Sequence, residues 1–250
     1  MSLNGAANGR ARPETAVVLA AHGDRGGAFA NTALLAHRSL LADSGCFAVV
    51  TAGVLKGEPT LETALAEAKA SGASRVVVYP FFMADGFFVR TRLSERVAAA
   101  GLTGRWEIFP PLGVDPGLPD LMLTHAESAA AAAGFDPAAT TLVVAGHGSK
   151  FGPASADATR AFASAIEDAR VFASVTSAFL EEPPSIEEAL RAATEPVVVS
   201  GFFSGDGMHA ADDVPAAVAK SKVKAIYAGP IGGEPAVGAL ILSRLRAAIG

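Results

Sequence analysis

Three side chains in the second half of the chain stand out by type: His147 within GHGS, Glu181 within FLEEPPS and His209 within GMHAADDVP. Two imidazoles and a carboxylate are groups that take up and release protons or ligate a divalent ion. None sits in a short local metal motif, so joint chemistry depends on the fold bringing distant segments together. Taken singly, each has an ordinary reading. A histidine between glycines can be satisfied by backbone groups. Glu181 and Glu182, ahead of Pro183 and Pro184, can be solvated or lie near the helix expected from Ser185. His209 can be an exposed loop residue or a helix-start residue.

A repeat joins the three. VVLAAHGD returns as LVVAGHGS, VLKGEPTLETAL as AFLEEPPSIEEAL, and VVVYPFFMADGFF as VVVSGFFSGDGMH. His147 minus His22 and Leu190 minus Leu65 both give 125, whereas Val197 minus Val76 and Asp206 minus Asp85 both give 121. A deletion of four residues (125 less 121) between Leu190 and Val197 reconciles the registers, at a helix-to-strand connection where length varies freely. A repeat of this length is a duplicated domain. The polar equipment is not duplicated: Lys56 stands where the second copy has Glu181 and Phe88 where it has His209, while His22 matches His147. The second copy therefore reads as the working site and the first as one that keeps mainly the fold. Asp206-Gly207 recurs as Asp85-Gly86, which points to turn chemistry. His37 and His125 have no histidine counterparts and read as partly buried or surface helix residues.

The elements that must position these residues alternate. In the first copy the apolar runs TAVVLAAHG, FAVVTAGVL, RVVVYPFF and WEIFPPLG predict strands. NTALLAHRSLLADSG, PTLETALAEAKASG and LPDLMLTHAESAAAAAG predict helices, with Asn31 capping the first of them and Gly45 stopping it. The second copy repeats the order with a helix in AADDVPAAVAKS after its third strand. Apolar strands separated by helices predict parallel sheets covered on both faces. The expected fold class is α/β, as two similar doubly wound parallel-sheet domains related by internal duplication. The expected division is a disordered segment at 1–14, an N-terminal repeat with a degenerate site at 15–137 and a C-terminal repeat with the active site at 138–250, each repeat burying its own core. In open α/β sheets ligands bind outside the carboxyl ends of the strands. His147, Glu181 and His209 all fall at that edge.

Composition narrows the function classes. Of 250 residues 50% are hydrophobic and 18% charged, with a formal net charge of -5, which argues against a nucleic-acid partner. No apolar run is long enough to span a bilayer and the start lacks the apolar stretch of a secretion signal, so no membrane association is expected and the cytosol is the expected compartment. The single cysteine, Cys46, excludes an internal disulfide and any site built from several thiolates of one chain.

GHGS after a strand, FLE followed by PS and a helix, and H-x-x-D-D-V-P after a third strand together resemble the class II chelatases of the CbiX type. The resemblance runs from about Thr15 to the end. It implies insertion of a divalent metal ion, with cobalt favoured over nickel or iron, into a sirohydrochlorin-type tetrapyrrole. The metal is then a substrate, and no organic cofactor is needed. Carried over by motif, His147 and His209 resemble the family's metal-handling histidines and Glu181 its acidic partner, as ligand or as proton acceptor. Neutral imidazoles bind such ions well yet can release them to ring nitrogens. The polycarboxylated ring would need local donors. Gly148, Ser149 and Lys150 at the expected helix start, with Met208 as an apolar surface, are the expected substrate-binding residues. Arg90 and Arg92 of the first copy are further candidates. Phe202 and Phe203 repeat as Phe81 and Phe82 and so read as core. The chain departs from the pattern at Lys56, Phe88 and Asp24, the last standing where the second copy has Ser149. It also lacks the histidine-rich tail and cysteine cluster of some relatives.

Two other classes stay open. Gly146, Gly148 and Gly152 after a strand, with Glu181 closing the next strand, could form a dinucleotide site. A non-catalytic metal or tetrapyrrole carrier fits the same composition. Monomer and homodimer are both compatible with the sequence.

Overall fold

A computed structural model of the chain describes residues 14–23, 31–149, 152–205, 207 and 209–249, with His209 described by its backbone alone. In the first copy β1 (Thr15–Ala21), α1 (Thr32–Asp43), β2 (Val49–Val54), α2 (Leu61–Ala70) and β3 (Arg75–Pro80) lead into a π-helical turn at Phe88–Leu93 and then α3 (Ser94–Ala99). β4 (Arg105–Ile108) and α4 (Leu118–Ala132) complete it. The second copy runs β5 (Thr141–Gly146), α5 (Ala154–Glu167), β6 (Ser174–Phe179), α6 (Ile186–Ala192) and β7 (Val197–Gly201). A π-helical turn at His209–Asp213, α7 (Val214–Lys220), β8 (Ala225–Pro230) and α8 (Pro235–Ile249) follow. The sheets have the equivalent orders β2-β1-β3-β4 and β6-β5-β7-β8, with every strand pair parallel.

Both central strands, β1 and β5, are buried along their whole length, so each is apolar on both faces. Val17 and Leu19 of β1 face a core that also takes Leu142 and Val144 of β5, while Ala16 and Val18 face a separate outer core beneath α2 and α3. Val143 and Ala145 face the third core, beneath α6 and α7. Each repeat thus has an outer core of its own, and the two share a third core between them. The shared core is filled by α1, α4, α5 and α8, including Leu34, Met122, Phe162 and Ile241. The last helix of each copy crosses over: α4 packs on α5, β7 and β8, and α8 on α1. His37 and His125 fasten this layer. The buried His37 Nε2 meets the Gly232 carbonyl at 2.8 Å, and His125 Nε2 meets the Ala228 carbonyl at 2.8 Å.

Two local expectations change, and the placing of the deletion is made more specific. Asn31 precedes α1 with φ 60° but makes no side-chain cap; its amide donates to the Glu58 carbonyl instead. The first copy has a helix, α3, between its third and fourth strands that the sequence reading passed over. The four-residue deletion falls on the end of a helix: α6 has 7 residues where its counterpart α2 has 10.

Candidate active site

His147 lies one residue past the end of β5, where parallel pairing with β6 carries on for one more step. Leu180 N–H donates to the Gly146 carbonyl and Glu181 N–H to the His147 carbonyl, which lays His147 and Glu181 side by side. The first copy makes the same pair of bonds from Leu55 to Ala21 and from Lys56 to His22. The Glu181 Oε2 atom stands 3.9 Å from His147 Nδ1. His147 Nδ1 also lies 3.1 Å from the Gly148 carbonyl. A carbonyl only accepts, so this bond requires the Nδ1–H tautomer, in which the ring's lone pair for a metal ion is on Nε2.

Gly148 makes this turn sterically. Its φ is +69°, and a methyl there would come 2.8 Å from Glu182 Cγ and 3.1 Å from Phe179 Cβ. Glu182, adjacent in sequence to Glu181, does something different. One of its oxygens accepts from Ser149 N–H at 3.2 Å and the other pairs with Arg160 at 2.7 Å, while that guanidinium lies 4.8 Å over the Phe179 ring. Glu182 thereby holds the Gly148-Ser149 segment against β6. The sequence reading did not single it out.

That clamp corrects two expectations. The Ser149 N–H is engaged by Glu182, and among the described residues α5 begins at Ala154. The dinucleotide reading loses ground for the same reason. A carboxylate already lies where a glycine-rich turn would offer N–H groups to a pyrophosphate. Lys150 and Met208 lie outside the described residues, and so does the side chain of His209. Among the described residues no three His, Cys, Asp or Glu side chains converge on a metal-sized space. Phe202 and Phe203 are buried, as expected of core, with Phe202 against Phe162 at 4.3 Å between ring centres.

The backbone of His209 opens the turn His209–Asp213 after β7. Its counterpart Phe88 opens the equivalent turn of the first copy, and there the Phe88 ring stands edge-on to His22, 4.6 Å between centres. In the first copy, then, the positions matching His147 and His209 are in ring-to-ring contact.

The carboxyl-end loops of the two copies meet. A cavity of about 50 Å³ is lined by His22, Gly23 and Asn31 from the first copy and by Ser204 and Gly205 from the loop that leads to His209. At a second contact between the copies, a Cβ at Gly86 would lie 3.6 Å from the Ala154 methyl at the start of α5. A larger cavity of about 590 Å³ borders the outer edge of β6, among Ser174, Thr176, Pro184 and Glu188. It holds none of His147, Glu181 or Glu182, so size alone does not locate the chemistry.

The model of the CbiX family matches residues 16–129 and 141–248, one match per copy. The chain belongs to the CbiX family. Among relatives of this CbiX-family chain, a probable sirohydrochlorin cobaltochelatase of Halobacterium salinarum is 23% identical over 223 residues, covering 80% of this chain and 75% of the relative. A solved CbiX, described as the terminal enzyme for biosynthesis of siroheme in denitrifying bacteria, is 33% identical with a TM-score of 0.76, covering 94% of this chain and 99% of its own. The sirohydrochlorin chelatase SirB of Bacillus subtilis subspecies spizizenii, solved with cobalt, shares the fold at 19% identity and a TM-score of 0.73, covering 93% and 94%. Among the described residues of this CbiX-family chain, no helix is long and apolar enough to cross a membrane.

Proposed function

We propose that this chain is a sirohydrochlorin chelatase, inserting a divalent metal ion, cobalt foremost, into the tetrapyrrole from a site in its second copy. The observation that carries the reading is the placement of His147 and Glu181 3.9 Å apart at one strand edge, in the copy where the residue matching Phe88 is a histidine. His147 and His209 deliver the ion through neutral imidazole nitrogens, which bind cobalt(II), nickel(II) and iron(II) and release them to the ring. Glu181 can complete the ion's coordination or accept a pyrrole proton. Glu181→Gln separates these uses, because the amide keeps an oxygen ligand and loses the base. Family membership supports the reading, as do the relatives, one named for cobalt and another for siroheme.

The test is the initial rate of sirohydrochlorin metallation, followed by absorption, with Co(II), Ni(II) and Fe(II) in turn. Turnover fastest with Co(II), lost in His147→Ala and in His209→Ala and largely kept in His22→Ala, is the expected result. Stoichiometric binding without turnover would make the protein a carrier. Equal loss in all three variants would overturn the assignment to the second copy.

A further inference from the structure

The strand edge of the first copy is more than a site with parts missing. Phe87 and Phe88 are 57% and 39% exposed, two of the few large apolar side chains left in water among the described residues. Their rings lie 5.8 Å apart at 67°. Phe88 is steadied by His22, and the Arg92 guanidinium sits 5.2 Å over the Phe87 ring. A contiguous exposed aromatic pair, unlike a lone surface apolar residue, marks a surface that something covers.

Of the three departures of the first copy, Asp24 for Ser149 adds a carboxylate, while the other two run the opposite way. Glu181 becomes Lys56 and His209 becomes Phe88, so each change removes a group suited to a cation, and the first adds a positive charge. Arg90 and Arg92 on the same turn extend that charge. Their partners are exposed: Arg90 pairs with Asp85 at 3.0 Å and Arg92 with Glu95 at 3.5 Å. Exposed pairs of this kind contribute little and exchange readily for a ligand's carboxylates. The location also fits. Gly86, immediately before Phe87, lies against the start of α5, and His22 beneath Phe88 shares a cavity with Ser204 and Gly205. The aromatic pair is therefore one residue away from two contacts with the second copy, one at the start of α5 and one at the loop that leads to His209.

We propose that the first copy is the macrocycle-binding wall of the enzyme. Phe87 and Phe88 stack on the flat tetrapyrrole, and Lys56, Arg90 and Arg92 take its peripheral carboxylates, while the second copy handles the ion. The proposal rests on the chelatase reading and assigns the two halves of that reaction to the two copies.

The test uses the full chain with two variants, Phe87→Ala/Phe88→Ala and Arg92→Glu. The second alters only an exposed side chain and keeps the test decisive should the first misfold. Metal-free sirohydrochlorin is titrated by its fluorescence, and Co(II) separately by calorimetry. Each variant should weaken tetrapyrrole binding roughly tenfold, raise KM for the tetrapyrrole to match and leave kcat within about twofold. Co(II) affinity should stay at the wild-type value. Wild-type tetrapyrrole affinity in folded variants would overturn the wall and leave the chelatase reading standing. A wild-type protein that binds Co(II) but no sirohydrochlorin would overturn both. A parallel fall in Co(II) affinity would overturn the division between the copies.

Discussion

Replacing Gly148 by alanine probes the turn that carries His147, and the molecule supplies its own control. Gly148 and Gly134 share a φ of +69°, so an alanine at either incurs the same left-handed penalty, about 1–2 kcal/mol. They differ in what the new methyl meets. At Gly134 nothing lies within 4 Å, whereas at Gly148 Glu182 Cγ lies at 2.8 Å and Phe179 Cβ at 3.1 Å. Phe179 is buried and Glu182 is held by both Arg160 and Ser149, so neither neighbour yields freely. Overpacking of this kind adds about 1–3 kcal/mol. Gly148→Ala should therefore cost about 2–5 kcal/mol against about 1–2 kcal/mol for Gly134→Ala. At about 2–4 °C per kcal/mol for a chain of this size, the extra fall in Tm is roughly 2–12 °C. Calorimetric unfolding of the two variants measures it, and Co(II) titration reports whether His147 has moved. Gly134→Ala should keep wild-type metal affinity and Gly148→Ala should lose it. Equal melting shifts with equal metal affinity would refute the steric account of the turn.

Glu182→Ala releases the Ser149 N–H and Arg160 without touching Glu181. It should lower Co(II) affinity about tenfold or more, as loss of an orienting partner does, and an unchanged isotherm would show that the clamp is idle. His37 is buried, and desolvation holds its pKa below the ordinary 6.5 in spite of the opposing bond to Gly232. The unfolded chain then binds more protons at mildly acid pH, so this contribution to stability is complete above 6.5 and is lost as pH falls below it. His37→Phe, which installs the residue type of its counterpart Phe162, should flatten that part of the stability profile measured by denaturant unfolding. A slope identical to wild type would locate the effect elsewhere.

The repeat, the two parallel sheets and the strand edge that brings His147 beside Glu181 are legible from subtraction along the chain, because pairing order and strand ends follow from the apolar runs. The same subtraction points to α3, since VRTRLSERVAAA lies at the register of AADDVPAAVAKS, which predicts a helix. The different roles of Glu181 and Glu182 were beyond it. Both precede proline, and only the backbone bond from Glu181 to His147 decides which carboxylate meets the imidazole and which turns back to Arg160. The crossing of α4 and α8 to the opposite copy was hidden for another reason. An apolar helix face records that it is covered, without recording by which sheet. His37 and His125 carried the one hint, as histidines set in apolar helices, and their partners are backbone carbonyls of the other copy. A carbonyl leaves no mark in the residue types.

Anomalous diffraction from a crystal soaked in Co(II) puts the central claim to its most direct test. The account predicts one strong cobalt peak in the second copy, bonded to His147 Nε2 and to the imidazole of His209, with Glu181 alongside. A peak beside His22 in the first copy, or cobalt held only at side chains away from these three residues, would contradict it.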